Sequence, residues 1–540
     1  MASSIRAGGG KPPPARIFLD GAFRTPGGVW AEALGVIGDR IVAIGNLDEV
    51  ERALPGSVEK VGIGGGVAFP GFCDSHIHLL NFGRSRMGAS CWPDETPSIA
   101  SIVAKVRSVD AELPPGKWMR GRGFDPTRTD EARAPTAEEL DLPSGRPVVL
   151  DSFDFHRRVA NHAALTAAGI DDSTPDPPGG VIVRDVMGVV TGELFDAARG
   201  LVDRAMPPWD DADDREAFSK TSKHFARAGF THVINAAPLG MASLGEEVRA
   251  FTRAASDDES PIRVSTMIPL GLFEHVRALD IPLGFGNGTV RLNGVKIFSD
   301  GAYGPRTACM HEPYADGAPP GHLSVDEDQL AEVVSEISAA GWRACVHAIG
   351  DRAVAVAAAA MESAPSASLG HRIEHCCLSS DEVVAGMARG KVVPVPQMPF
   401  LRERSSDFSE ALGAERMARL YPLRSWIDAG LRPLHSSDAP VVTNVQPMAS
   451  VHAAITRRDA KGNVWGAEEG IELDEALAML TTWPADAEGL GDGSGRLAPG
   501  YLADMTVLPS DPYQSDVEDL ESMLASMTIV GGEVVWNGDS

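Results

Sequence analysis

A chain of 540 residues with 43% hydrophobic and 23% charged residues is composed like a globular enzyme, and it is too long for one hydrophobic core, so two or three folding units are expected. Its 75 carboxylates against 48 lysines and arginines, a formal net charge of −27, exclude the clustered basic surface that nucleic acid or an anionic membrane face requires. With no run of 18 apolar residues and only six cysteines, none in a CxxC pair, a membrane span, a secreted disulfide framework and a cysteine zinc knuckle are all disfavoured, and a reducing, cytoplasmic setting is expected.

Residues 1–14 are small and rich in Gly and Pro, without the apolar centre of a secretory signal, and read as a flexible tail. From 15 to 67 the pattern is of short strands, at 15–20, 31–37 and 40–44, with Gly38-Asp39 as a hairpin turn. The other end has the same texture, at 505–508, 527–530 and 533–536, around a Gly531-Gly532 turn. Each end is too short for its own core, so residues 15–68 and 497–540 are expected to complete one small β-sandwich together. Between them, over 69–496, apolar strands alternate with helical stretches such as 326–340 and 351–363, the mark of parallel β/α units. Eight strand candidates, at 71–78, 231–235, 263–268, 294–298, 344–347, 371–375, 392–396 and 432–436, fit a closed (β/α)8 TIM-like barrel. The fold class is therefore α/β. The stretch from about 83 to 208, after the first strand, is too long for one crossover and is expected to form an inserted subdomain over the barrel mouth.

The first barrel strand ends in PGFCDSHIHL, with His76 and His78 two apart and so on one face, toward the barrel mouth. Two imidazoles so placed can share a divalent cation at roughly 2.0–2.1 Å each, although an HxH alone is a weak signal. Lys296 lies inside the apolar run of the fourth strand, where a bare ammonium is costly to bury. Carbamylation by CO2 would turn it into an anion able to bridge two metals; an ion pair with a carboxylate such as Asp300 is the plainer reading. His347 ends the fifth strand, His375 the sixth, and Asp438 follows the eighth. Singly, such histidines are more often satisfied core residues than ligands, but all of these fall at carboxyl ends of strands, the face where barrel enzymes build active sites. In the insertion, Trp118, Phe124 and Phe155 supply aromatic surface. Asp154 and His156 are candidates for substrate contact, with a loop histidine capping its own backbone as the alternative. Arg306 could anchor a polar substrate group or simply pair with a carboxylate. Gly64-Gly65-Gly66 lacks the GK[ST] ending of a phosphate loop and is a turn.

This ordered set resembles the amidohydrolase superfamily, and within it the YtcJ-type amidohydrolase 3 family, which includes N-substituted formamide deformylases. The matching segments are PGFCDSHIHL, VKIFSDGAYGPRTA, VHAIGDRAV, HRIEHC, SSDAPV and GRLAPGYLADMTVL, with weaker matches at GRGFD and around Asp154 and His156, so the resemblance covers nearly all the chain after the first 15 residues. It implies a barrel plus a β-sandwich made from both ends. It implies one or two divalent metals, zinc by default, with iron, manganese and cobalt also suited to such ligands. His76, His78 and Asp438 would hold the more buried metal, His347 and His375 the second, and Lys296, as a carbamate, would bridge them. Hydroxide formed from a metal-bound water would attack a carbonyl, and Asp438 would pass the proton to the leaving nitrogen. Tyr303-Gly304-Pro305 departs from the Gly-Ser-like residues common at that place, which implies a different substrate preference.

The expected function is hydrolysis of an amide or related C–N bond in a small, mostly neutral molecule; polyanions are poor candidates beside so acidic a surface. A ring-amidine deaminase of the same superfamily is the alternative that Glu374 keeps open, and a non-catalytic binding protein with the same fold is the third reading. The partner is a small-molecule substrate rather than nucleic acid or membrane, with a homodimer left open.

Overall fold

The computed structural model describes residues 14–538 except 55, 94, 154–156, 238–248, 252, 254–259, 367–368, 443 and 490–492; the N-terminal segment read as a tail thus lies almost wholly outside the described residues. Two compact units emerge, one of residues 1–78 with 222–540, the other Leu79–Thr221. Among the described residues no helix is long and apolar enough to cross a membrane.

In the first unit both chain ends enter one six-stranded sheet, ordered Glu533–Asn537, Met527–Val530, Met505–Leu508, Val67–Pro70, Ala22–Arg24 and Trp30–Ala31. A four-stranded sheet, ordered Arg40–Gly45, Ala33–Ile37, Ala15–Leu19 and Glu59–Gly62, lies against it. Phe18, Leu34 and Ile41 from the small sheet and Phe23, Met505, Val507 and Ile529 from the large one share a single buried cluster. Neither end of the chain could bury these side chains alone.

Strand Val67–Pro70 runs through Gly71 into the barrel. A Cβ at Gly71 would sit 2.0 Å from the Thr231 hydroxyl oxygen, so the joint needs a residue without a side chain. The barrel strands are β1 (Phe72–Ile77), β2 (Phe230–Asn235), β3 (Arg263–Pro269), β4 (Val290–Phe298), β5 (Ala344–Ala348), β6 (Arg372–His375) and β7 (Val393–Val395), each paired in parallel with the next. Every residue of β1, β2 and β6 is buried, covered on both faces as parallel strands are, although Asp74, His76, Asn235, Arg372 and Glu374 among them are polar or charged.

The eighth expected strand, 432–436, is not a strand. It meets its neighbours through isolated hydrogen bonds and no ladder, among them Leu434 N–H to the Pro394 carbonyl at 3.0 Å, Ser436 Oγ–H to the Pro396 carbonyl at 2.9 Å and Ser75 N–H to the His435 carbonyl at 2.9 Å, with Asp438 N–H to the His76 carbonyl at 2.8 Å just beyond it. Pro433 on this segment and Pro394 and Pro396 at β7 have no N–H to give a ladder. The sheet is thus a seven-stranded, nearly closed barrel whose last gap is bridged by an extended segment.

The second unit has a five-stranded sheet of its own, ordered Gly180–Arg184, Val190–Asp196, Arg157–Ala160, Val148–Ser152 and Met119–Phe124. Val148 and Leu150 join the core formed with Ile102 and Val106 of helix Ile99–Asp110. Val149 joins the opposite core, with Leu165, Leu194 and Val202. The period-two alternation of one strand serves two cores.

Candidate metal centre

His76 near the end of β1 and His78 just beyond it are both buried, their ring centroids 5.5 Å apart. Asp438 meets them from the closing segment, with Oδ1 at 3.4 Å from His76 Nε2 and 3.2 Å from His78 Nε2. Its backbone lies at φ 57°, in the left-handed region. Two backbone bonds fix that placement: Asp438 N–H to the His76 carbonyl, and His78 N–H to the Ala439 carbonyl, each 2.8 Å. Asp74 adds a third tie, its Oδ1 accepting the N–H groups of His76 at 3.2 Å and Ser437 at 3.0 Å; burial pushes its carboxyl up to about 7.

Each histidine is held by its far nitrogen. His76 Nδ1 donates to Glu374 Oε2 at 2.5 Å, His78 Nδ1 to the Ala237 carbonyl at 2.6 Å, and His375 Nδ1 to Gln397 Oε1 at 2.9 Å. Gln397 cannot be turned around, because its Nε2 donates to the Val395 carbonyl and Ser436 Oγ, both at 3.0 Å. These acceptors place the ring proton on Nδ1 and leave Nε2 with its lone pair. At His347 the roles are reversed: Nε2 faces the Gly301 carbonyl at 3.0 Å, which leaves Nδ1. Burial holds His78 below its usual range and His347 down to about 3, while burial and then His347 hold His375 well below, so these rings are neutral, the form that binds a metal.

The remaining candidates cluster around these. The centroid of His375 is 5.1 Å from His76 and 4.5 Å from His347. Lys296 is buried, with Nζ 5.0 Å from the centre of the Phe298 ring. It makes no ion pair with Asp300. Both Asp300 oxygens are taken by the N–H groups of Cys309 (2.9 Å), Ile349 (3.0 Å) and Gly350 (2.8 Å), at the start of helix Asp351–Glu362. Burial lowers the Lys296 pKa, against the opposing pull of Glu374 and Asp438.

The donor set fits a divalent cation. His76, His78 and Asp438 offer ligand atoms all within 4.8 Å of one another, and no other such group of three His, Cys, Asp or Glu occurs among the described residues. His76 Nε2 and Asp438 Oδ1 are buried without a hydrogen-bond partner, an arrangement that is costly unless something positively charged sits between them.

Other candidates are placed differently. Arg306 donates to Asp316 Oδ2 at 2.7 Å and to the carbonyls of Tyr303 (2.7 Å) and Gly304 (3.1 Å), so its guanidinium is engaged within its own loop. Trp118 packs beside the inserted unit's own core and lines a groove there with Arg120, Pro207 and Trp209. Asp154 and His156 lie outside the described residues. Reading the sequence alone missed Asp74, Arg372, Gln397 and Phe298. A signal existed for one pair: Arg372 and Glu374 are opposite charges two apart on a short strand, hence on one face.

The profile of the amidohydrolase family matches residues 63–536, and the chain belongs to that family. It is 31% identical over 492 residues to the YtcJ protein of Bacillus subtilis (strain 168), covering 88% of this chain and 90% of that one. It is 28% identical over 531 residues to an N-substituted formamide deformylase of Arthrobacter pascens, covering 93% and 94%. Two crystal structures of uncharacterized metal-dependent hydrolases share the fold. The one from Pyrococcus furiosus has a TM-score of 0.77 at 25% identity, covering 93% of this chain and all of that one; the one from Pyrococcus horikoshii OT3 has 0.78 at 22%, covering 93% and 99%.

Proposed function

We propose that this amidohydrolase is a metal-dependent hydrolase that cleaves an amide or related C–N bond of a small, mostly neutral substrate. The observation that carries the reading is the buried, unpartnered pair His76 Nε2 and Asp438 Oδ1 facing each other beside His78. A divalent cation held by His76, His78 and Asp438 would polarise a carbonyl and lower the pKa of water to near neutrality. The imidazole-rich set suits zinc, with iron, manganese and cobalt as the other options. His347, His375 and Lys296, the last as a carbamate, would supply a second site. With Asp438 Oδ1 turned toward the histidines, Oδ2 is the oxygen left to take a proton from the attacking water and pass it to the leaving nitrogen.

Aromatic surface beside the centre supports an apolar substituent on the substrate. Phe298 ends β4 with 45% of its surface exposed, its ring 5.3 Å from His347, and Phe400 stacks on His375 at 6.5 Å. The deaminase alternative rested on Glu374, and that carboxylate is fully buried between Arg372 and His76, which favours the hydrolase. Six buried free thiols accord with a reducing, cytoplasmic setting.

The test is a panel of N-aryl and N-alkyl formamides, acetamides and lactams, read by amine release or ring opening, on protein whose metal content has been measured. The expected result is turnover of at least one linear amide, with Phe298→Ala raising KM for N-aryl members more than for N-methyl ones. Ammonia release from ring amidines without amide turnover would favour the deaminase. Less than about a tenth of an equivalent of any transition metal would count against a hydrolase of this kind.

A further inference from the structure

Behind His76, on the side away from Asp438, lies a buried charged pair. Arg372 is 1% and Glu374 0% exposed. Arg372 Nε donates to Glu374 Oε1 at 2.8 Å and its NH2 group to Oε2 at 3.0 Å, a two-pronged clasp that fixes the plane of the carboxylate. The same NH2 group reaches the Ser75 carbonyl at 2.6 Å, tying the clasp to the residue before His76. Oε2 is then the acceptor for His76 Nδ1–H at 2.5 Å.

A hydrophobic pair of similar volume would often serve folding as well as this one does. What a hydrophobic pair cannot do is accept a hydrogen bond from an imidazole N–H. An ionised carboxylate only accepts, so it admits one tautomer of His76, the one with the lone pair on Nε2, and it makes that nitrogen a stronger donor. Because Arg372 cancels its charge, the anion does so without adding net charge beneath the metal. We infer that Glu374, locked by Arg372, is the positioning residue that sets metal affinity at the His76–His78–Asp438 centre. It acts through His76 and does not touch the substrate. This rests on the metal-centre reading above.

The experiment is competition for zinc between a chromophoric chelator and the full-length protein, stripped and reloaded, for wild type, Glu374→Gln and the double variant Arg372→Met/Glu374→Gln. A glutamine can turn its amide to donate to Nδ1, which would put the proton on Nε2 and block the ligand. The double variant removes the lone buried arginine that could unfold the single one. Both folded variants are expected to bind zinc roughly 10- to 100-fold more weakly than wild type, and the visible spectrum of the cobalt-loaded protein should change in shape. Unchanged zinc affinity and cobalt spectrum in the folded double variant, whatever its melting temperature, overturn the inference. A wild-type protein that takes up no zinc or cobalt overturns the proposed function and this inference together, so the two failures are distinguishable.

Discussion

Asp438 combines three demands on one residue: a backbone at φ 57°, a carboxylate oxygen between two imidazoles, and a second oxygen for proton transfer. Ala237 (φ 68°), His375 (φ 71°) and Cys376 (φ 47°) also have left-handed backbones around the same centre. Such conformations cost on the order of 1–3 kcal/mol each and are kept where the surroundings over-determine them. Asn tolerates the left-handed region as Asp does, so Asp438→Asn separates chemistry from folding. The variant should stay folded and at least partly metallated while turnover falls by roughly a hundredfold or more, the scale of a lost general acid–base. A fully active Asn variant would move the proton to another group.

Among the elements, what could be read in advance and what could not divide on physical grounds. β1 to β6 are legible because short strands alternate with helical stretches, and His76, His78, His347 and His375 are visible because each lies at or just beyond the carboxyl end of one. The eighth segment, Arg432-Pro433-Leu434-His435-Ser436, would need for its pairing donors that Pro433, Pro394 and Pro396 do not have. The supports behind the histidines were hidden for a different reason. Glu374 reaches His76 from a distant strand and Gln397 reaches His375 from beyond β7, and only barrel closure decides which acceptor meets which ring. Asp74 was hidden likewise, since one of its partners, Ser437, is 363 residues away. This aspartate takes the place of a missing ladder by joining β1 to the closing segment. Asp74→Ala would leave two buried N–H groups without an acceptor, at about 1–3 kcal/mol each. Chemical denaturation should show a loss of roughly 2–6 kcal/mol for the two together, with weaker zinc binding as Asp438 loosens from His76. A variant as stable as wild type with unaltered zinc binding would remove Asp74 from this role.

For the molecule as a whole, the metal ligands and the weakest seam of the barrel coincide. His76 and His78 come from β1 and Asp438 from the segment that closes the barrel beside it, where isolated hydrogen bonds stand in for a ladder. A cation joining all three would close that seam, and its binding energy would appear as stability: about 4 kcal/mol when free metal is 1,000 times Kd. The inserted unit, Leu79–Thr221, contains none of these ligands and has cores of its own. Chelation should therefore act unevenly. Hydrogen exchange followed by mass spectrometry should show faster exchange, after metal removal, in peptides covering 72–78 and 434–440. Peptides from strands Met119–Phe124 and Val148–Ser152 should keep their protection. Re-addition of zinc should restore the slow exchange at the seam. Equal loosening of both units, or no change at 434–440, would mean that the cation does not close the barrel where Asp438 faces β1.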